Sequence, residues 1–228
     1  CDWSSDVCSS DLARTAFNRG QILYRIAEML QGRAQQFIDE LRAQDVLPGE
    51  AAFQVRESID RLVYYAGWCD KYAALFSSVN PVTGSYFNFS VPEPSGVVAL
   101  IAPQQDGLLG LISILVPCIA GGNTCVALAA QSKPLCAITL AEVLNSSDVP
   151  AGVVNILTGS LQELAPFLGN HMDVNAVVCC EDDPALLRQL QELSAENVKR
   201  MIPYETVNWH LPSGASPYFI LDLQETKT

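Results

Sequence analysis

The sequence has few basic residues. Lys and Arg together number 13 against 25 Asp and Glu, and the formal net charge at pH 7 is −12. Binding to a nucleic acid backbone needs clustered Lys and Arg side chains, and the basic residues here are scattered along the chain. An acidic surface is also weakly attracted to anionic membranes. We therefore expect no nucleic acid partner.

Long apolar runs are missing too. The most apolar run, Leu108 to Ala120, is interrupted by Pro117 and is shorter than the ~20 residues that a membrane-spanning helix needs. The N-terminus lacks the basic segment followed by an apolar segment that marks a signal peptide. These features predict a cytoplasmic protein with no membrane partner.

Metal-binding patterns are absent from the sequence. The two histidines, His171 and His210, stand alone, and the eight cysteines form no CxxC pair and no Cys/His cluster with zinc spacing. Most of the cysteines lie inside apolar runs, which predicts buried thiols in a reducing compartment. We therefore expect no metal site. The chain is 49% hydrophobic, which suits a globular protein with an apolar core.

Residues 1–12, CDWSSDVCSSDL, differ from the rest of the chain, because they are rich in Ser and Asp and have no helical or strand period. They resemble the translation of a common sequencing-adapter oligonucleotide. We interpret them as an artefact, with the natural sequence starting near Ala13; the alternative is an ordinary disordered tail. In either case they are left out of the fold prediction.

Residues 13–79 have helical periodicity. Ile22, Ile26 and Leu30 recur on one helical face, and the Pro and Gly of residues 47–50 break the pattern before a longer helix. The segment is predicted to form a helical layer.

Residues 80–95 are predicted to be bridging strands. Within them Tyr86 to Val91, YFNFSV, alternates aromatic and polar residues, a pattern typical of an exposed strand. Because an exposed strand edge needs covering, we expect this segment to join another chain.

Residues 96–200 consist of short apolar runs that alternate with helical segments, which predicts a doubly wound parallel sheet in an α/β fold. The predicted strands are Val97–Ile101, Thr124–Leu128, Val153–Leu157 and Val174–Cys179. Such sheets bind ligands at the carboxyl ends of their strands. Here those ends lead into the segments that start at Ala102, Ala129, Thr158 and Cys180. Residues 201–228 are predicted to be an irregular tail with a truncated terminal strand.

Several stretches resemble the aldehyde dehydrogenase superfamily. They are RGQILYRIAEMLQGR, PVTGSYFNFSVPEPSGVVALIAP, GGNTCVAL, VPAGVVNILTG and NHMDVNAVV. The similarity runs from about Arg19 to Arg200, with a weaker match at residues 223–228. RLVYYAGWCDKY, YFNFSVPEP and AENVKR look most like the C-terminal, non-catalytic half of family 16 aldehyde dehydrogenases. The resemblance implies the superfamily's Rossmann-like domain and an NAD(P) cofactor.

The resemblance also implies that the cofactor positions are degenerate. Gln105 stands where the family has an oxyanion-binding Asn, and Leu128 and Gln131 replace the Lys and Glu that hold the ribose. Glu181 and Asp182 replace the Gly and Ser of the loop beside the pyrophosphate, where carboxylates are better helix caps than anion ligands. The candidate cofactor positions that remain are Ala102, Pro103, Gln105, Gly122, Asn123 and Gly159. We expect NAD(P) binding to be weak or lost.

No catalytic residue is predicted. Tyr204 occupies the family's general-base position, and Glu205 comes one residue late, where an extended strand would turn it the other way. None of the cysteines has the family's GQxC context, and the Cys179–Cys180 pair is interpreted as structural because Glu181 opposes thiolate formation.

The preferred interpretation is therefore a non-catalytic domain that supports assembly with a catalytic aldehyde dehydrogenase half, or with a second copy, through the bridging strands. By resemblance, the terminal strand LQETKT is expected to join the bridging hairpin of a partner subunit. One alternative is that the chain is part of an active NAD(P)-dependent aldehyde dehydrogenase. Another is residual nucleotide binding near Ala102, Gly122 and Gly159 without catalysis.

Overall fold

A computed structural model of the chain describes residues 14–228, so the adapter-like residues 1–12 lie outside the described part. The helices are α1 (Ala16–Gly32), α2 (Ala34–Arg42), α3 (Pro48–Ala66), α4 (Tyr72–Phe76), α5 (Leu109–Ala120), α6 (Leu135–Asn145), α7 (Leu161–Asn170), α8 (Pro184–Glu196) and α9 (Tyr218–Leu221), with a 3-10 turn at Pro212–Gly214. The strands are β1 (Ser78–Asn80), β2 (Asn88–Pro94), β3 (Val97–Ile101), β4 (Thr124–Leu128), β5 (Val154–Leu157), β6 (Ala176–Cys179), β7 (Arg200–Pro203) and β8 (Gln224–Lys227).

The first four helices form a layer at the start of the described chain. Helix α1 begins at a cap, since the Thr15 hydroxyl accepts the Asn18 N–H at 3.2 Å. Its apolar face buries Leu23, Ile26 and Leu30 against the longer helix α3 and against α5. Burial of this face, more than intrinsic propensity, stabilises such helices.

A small antiparallel sheet with the order β1-β2-β8 bridges the two parts of the chain. Strand β1 starts at Ser78, slightly inside the segment predicted to be helical, and places Val79 opposite Phe89. The terminal strand was expected on the hairpin of a partner subunit. In the structure β8 instead pairs with β2 of its own chain, and the guanidinium of Arg200 donates to the Gln224 carbonyl at 2.6 Å to hold it there.

The main sheet is parallel, with the order β5-β4-β3-β6-β7. This confirms the predicted α/β fold with a Rossmann-like parallel sheet. The sheet has one strand more than predicted, because β7 pairs with β6 through residues that had been placed partly in the irregular tail. Of β7, Ile202 is buried while Arg200 and Pro203 are exposed, so the strand lacked the continuous apolar run of its neighbours.

Helix α5 lies in the centre of the molecule. All 12 of its residues are buried, and it contacts α3 on one side and β3 and β4 on the other. One continuous apolar cluster thereby joins the helical layer, α5 and one face of the sheet, while a second cluster lies between the other face and helices α7 and α8. Within residues 14–228 no helix has the length and apolarity that crossing a membrane would require.

The segment after β7 was predicted to be irregular, and the structure shows it packed against the domain. Tyr204, Trp209 and Phe219 form an aromatic cluster with ring centroids 5.0–6.0 Å apart. The buried guanidinium of Arg61 on α3 donates to the Trp209 carbonyl at 2.5 Å and also to the Ser113 hydroxyl. A buried cation with these acceptors fixes the course of the segment across α3 and α5.

Candidate functional site

The carboxyl edge of the parallel sheet is the candidate site, because ligands of open α/β sheets bind in the crevice outside the carboxyl ends of the strands. Of the predicted residues, Ala102, Pro103 and Gln105 follow β3, and Gly159 follows β5, so these four lie at this edge. Ala102 and Pro103 are buried, and Gln105 is exposed. The ammonium group of Lys133 donates to the Gln105 carbonyl.

Gly122 and Asn123 lie at the opposite end of the sheet, because they precede β4 and all its neighbours run parallel to it. Asn123 is fully buried. Its side chain accepts the Gly96 N–H at 3.0 Å and donates to the Leu223 carbonyl at 3.1 Å. These two residues therefore do not lie at the carboxyl edge, where the other four predicted cofactor positions are.

The two positions that the resemblance aligns with the family's ribose ligands carry no charged side chain. Leu128 is fully buried in the cluster beneath α7 and α8, so it offers no polar atom to a ligand. The side-chain oxygen of Gln131 is already engaged, since it accepts the N–H of Leu161 at the start of α7 at 3.1 Å. No step of a cofactor-dependent reaction can be derived from these two positions.

The end of β6 is acidic. Asp183 caps α8 by accepting the Ala185 N–H at 2.9 Å, whereas Glu181 turns back and accepts the Gln104 N–H at 2.9 Å. Burial raises the pKa of the Glu181 carboxyl, the Gln104 N–H opposes that shift, and Asp182 and Asp183 add to it. The sequence had assigned helix capping to Glu181 and Asp182, while the structure assigns it to Asp183. Three carboxylates here are unfavourable neighbours for a pyrophosphate.

The thiols of Cys179 and Cys180 are buried. Burial raises the pKa of Cys179 to about 11 and that of Cys180 well above its ordinary value. A nucleophilic cysteine needs a lowered pKa and access to substrate. Neither thiol meets these conditions.

Tyr204, which by resemblance stands at the family's general-base position, is buried and already hydrogen-bonded. The Tyr204 hydroxyl is buried and lies 2.7 Å from the Asp222 carboxylate oxygen, to which it donates. Burial, then this hydrogen bond, raise the pKa of Tyr204. Glu205 is exposed at the surface. A phenol held in its protonated form cannot accept a proton, so this position offers no base.

Sequence reasoning missed a polar cluster at the same edge, formed by His210, Asp106 and Glu50. His210 was described as isolated, but its Nε2 lies 2.7 Å from Asp106 Oδ1 and its Nδ1 lies 3.2 Å from Glu50 Oε1. The ring also stacks on Phe53, with centroids 5.7 Å apart. The three residues are far apart in the sequence, so no local sequence motif predicts the cluster. Among residues 14–228, no group of three or more His, Cys, Asp or Glu side chains is arranged to hold a metal ion.

Comparison with known proteins agrees with this architecture. The model of the "Aldehyde dehydrogenase family" matches residues 12–203. Cytosolic 10-formyltetrahydrofolate dehydrogenase of Mus musculus is 31% identical over 189 residues, which cover 82% of this chain and 21% of that protein. Omega-crystallin of Enteroctopus dofleini is 30% identical over 187 residues, which cover 81% of this chain and 37% of that protein.

Among solved structures, PnpE in complex with nicotinamide adenine dinucleotide superimposes with a TM-score of 0.83 at 25% identity, over 88% of this chain and 41% of that one. Lactaldehyde dehydrogenase from Escherichia coli shares the fold, with a TM-score of 0.82 at 18% identity over 88% of this chain and 42% of that one. The chain therefore spans less than half the length of these relatives. With a family model that covers most of its residues and a matching fold, the chain belongs to the aldehyde dehydrogenase family.

Proposed function

We propose that this chain is a non-catalytic aldehyde dehydrogenase domain that supports assembly with a catalytic aldehyde dehydrogenase half or with a second copy of itself. The observation that carries the proposal is an apolar surface on the bridging strands. Val79, Phe87 and Phe89 are 69%, 74% and 49% exposed. Together with Ala74, Ser77 and Ser78 they line a surface depression of about 370 Å³. Contiguous exposed apolar surface of this kind marks an interaction site.

The absence of catalytic function is proposed on the site's chemistry. Tyr204 is bonded to Asp222, and the thiols of Cys179 and Cys180 are buried with raised pKa values. None of these groups is able to act as a nucleophile or base near neutral pH. The similarity to the C-terminal half of family 16 members, proposed from the sequence, is compatible with this chemistry.

We further propose that NAD(P) binds weakly or not at all. The Lys and Glu that hold the ribose in the family are replaced by the buried Leu128 and by Gln131, whose oxygen bonds Leu161. Loss of a hydrogen bond to a charged group costs about 1.5–3 kcal/mol. Two such losses correspond to a reduction in affinity of roughly two orders of magnitude or more.

The location is proposed to be the cytoplasm. Five buried cysteines of the described part are free thiols: Cys69, Cys125, Cys136, Cys179 and Cys180. Free thiols in this number suit a reducing compartment.

The assembly proposal is tested by light scattering on the purified chain. We expect a mass above the 24.7 kDa of one chain, and we expect Phe87→Lys to lower it, because a charge would be buried in the interface. The matched control is Phe167→Lys on α7, since Phe167 is 73% exposed but lies away from the bridging strands. An unchanged mass for Phe87→Lys would count against the proposal.

The alternative is that the chain is part of an active NAD(P)-dependent aldehyde dehydrogenase. It is favoured by family membership and by the relative PnpE, whose structure contains nicotinamide adenine dinucleotide. NADH formation from NAD⁺ and a panel of aldehydes separates the two functions. We expect none from the purified chain, and turnover that survives further purification would favour the alternative.

A further inference from the structure

Three side chains connect the loops at the carboxyl edge of the parallel sheet. Glu181, after β6, accepts the backbone N–H of Gln104, after β3, at 2.9 Å. The side-chain oxygen of Gln104 accepts the backbone N–H of Gln131, after β4, at 2.7 Å. The side-chain oxygen of Gln131 accepts the backbone N–H of Leu161, which opens the helix after β5, at 3.1 Å.

The order of these bonds follows the order of the strands. The sheet runs β5-β4-β3-β6, and each neighbouring pair in this row is joined by one of the three bonds. Gln104 is the central member, and its side-chain N–H also donates to the Ala102 carbonyl at 3.0 Å. We call the side chains of Gln104, Gln131 and Glu181 the edge brace.

One bond of the brace occupies a backbone donor of the kind that binds anions. Leu161 is the first residue of α7, where N–H groups have no partner inside the helix and readily bind phosphate or carboxylate oxygens. Here a neutral amide oxygen of the protein takes that place. At the other end of the brace the oxygen belongs to a carboxylate, with Asp182 and Asp183 next along the chain.

We propose that the edge brace closes the ligand edge of this domain with the protein's own side chains, so that the edge is a structural element whose order does not depend on a bound nucleotide. The inference rests on the proposed loss of nucleotide binding and adds to it the groups that occupy the backbone donors. It predicts that removal of a brace side chain speeds hydrogen exchange at the backbone N–H group that this side chain accepts.

The test is amide hydrogen exchange on the full chain. Gln131→Ala removes the acceptor of the Leu161 N–H, and we expect exchange at Leu161 to become about three- to tenfold faster, as loss of one hydrogen bond predicts. The matched control is Gln105→Ala, because Gln105 is an exposed glutamine next to Gln104 and outside the brace. The control should leave exchange at Leu161 unchanged. Equal exchange at Leu161 in Gln131→Ala and wild type overturns the brace.

A second arm uses NAD⁺ itself as the probe. With NAD⁺ added to the wild type, we expect no change in exchange at Leu161 and no rise in the thermal midpoint. Slower exchange at Leu161 with NAD⁺ overturns the brace, because the ligand would then supply the order. A third outcome is that NAD⁺ has no effect and that exchange at Leu161 in Gln131→Ala equals that of the wild type. This outcome overturns the brace but leaves the proposed loss of nucleotide binding intact.

Discussion

At the scale of single residues, the environment of the Asp106 carboxylate is set by a partner that is distant in the sequence. In the sequence it is the residue that follows Gln105. In the structure its side chain is only 7% exposed and bonds His210, which comes from the segment after β7. A buried carboxylate needs such a partner, since burial of an uncompensated charge is costly. The pair therefore ties the returning segment to the loop after β3.

The first prediction concerns this pair. His210→Ala leaves Asp106 without its partner and is expected to reduce the free energy of unfolding by about 1–3 kcal/mol. The measurement is urea denaturation followed by fluorescence. The control is His171→Ala. The His171 side chain is 64% exposed, and its Nδ1 lies as far as 4.0 Å from the Asp173 carboxylate, so this pair is weaker and more exposed. Equal destabilisation by both substitutions would show that the buried pair does not contribute.

The second prediction concerns Glu181. Burial raises the pKa of its carboxyl in the folded state, so its ionisation disfavours folding. Its contribution to stability is therefore present at acid pH and is lost as pH rises through the raised pKa. Glu181→Gln keeps the oxygen that accepts the Gln104 N–H and cannot ionise. We expect the variant to gain stability relative to wild type between about pH 4 and pH 7.

Thermal midpoints across that pH range measure the effect of Glu181→Gln. The matched variant is Glu163→Gln, which removes an exposed carboxylate from the first turn of α7. It should show no such gain, because a carboxylate at a helix N-terminus is stabilising when ionised. A pH-independent difference for Glu181→Gln would rule out the proposed cause.

At the scale of elements, β8 is held by residues that look unrelated to it in the sequence. The Asn123 side chain joins the Gly96 N–H at the start of β3 to the Leu223 carbonyl just before β8. Arg200 adds donors to the Asp222 and Gln224 carbonyls, at 2.9 and 2.6 Å. The terminal strand therefore lies on β2 of its own chain because the amino edge of the large sheet anchors the residues before it.

The third prediction tests this anchor. Asn123→Ala removes the side-chain bonds to Gly96, Leu223 and Cys118 from a fully buried site, and we expect a loss of about 1–3 kcal/mol in the free energy of unfolding. Amide exchange in β8 should become faster as well. Asn145→Ala, at an exposed position at the end of α6, is the control. Unchanged exchange in β8 would mean that pairing with β2 alone holds the strand.

At the scale of the whole molecule, the predicted helical layer and Rossmann-like sheet share one core. The larger apolar cluster includes Leu30 and Leu62 of the helical layer together with Leu100 and Val178 of the sheet. Helix α5, buried on all sides, packs against both parts. Neither part buries its apolar face without the other.

The fourth prediction is a single unfolding transition. Because the core is shared, circular dichroism of the helices and fluorescence of Trp68 and Trp209 should give coincident melting curves. The calorimetric and van't Hoff enthalpies should also agree. Separate transitions for the two signals would contradict a shared core.

The strands β3 and β4 could be predicted residue by residue, because buried parallel strands are continuous apolar runs. Strand β7 could not, since as an edge strand it pairs on one side only and has one buried residue, Ile202. The strand ends could be placed to within a few residues. The segments at the carboxyl edge were therefore located from the order of the elements alone, whereas Gly122 and Asn123 were listed with that edge although they precede strand β4.

The amino-acid sequence by itself determined the alternation of strands and helices and the family, because local periodicity and residue identity carry that information. The tertiary structure alone decided which polar side chains meet. Glu181 with Gln104, Asp106 with His210, and Asn123 with the Leu223 carbonyl are contacts between residues 77, 104 and 100 positions apart. Such contacts depend on how the chain packs, and a buried polar group takes the partner that packing brings within reach.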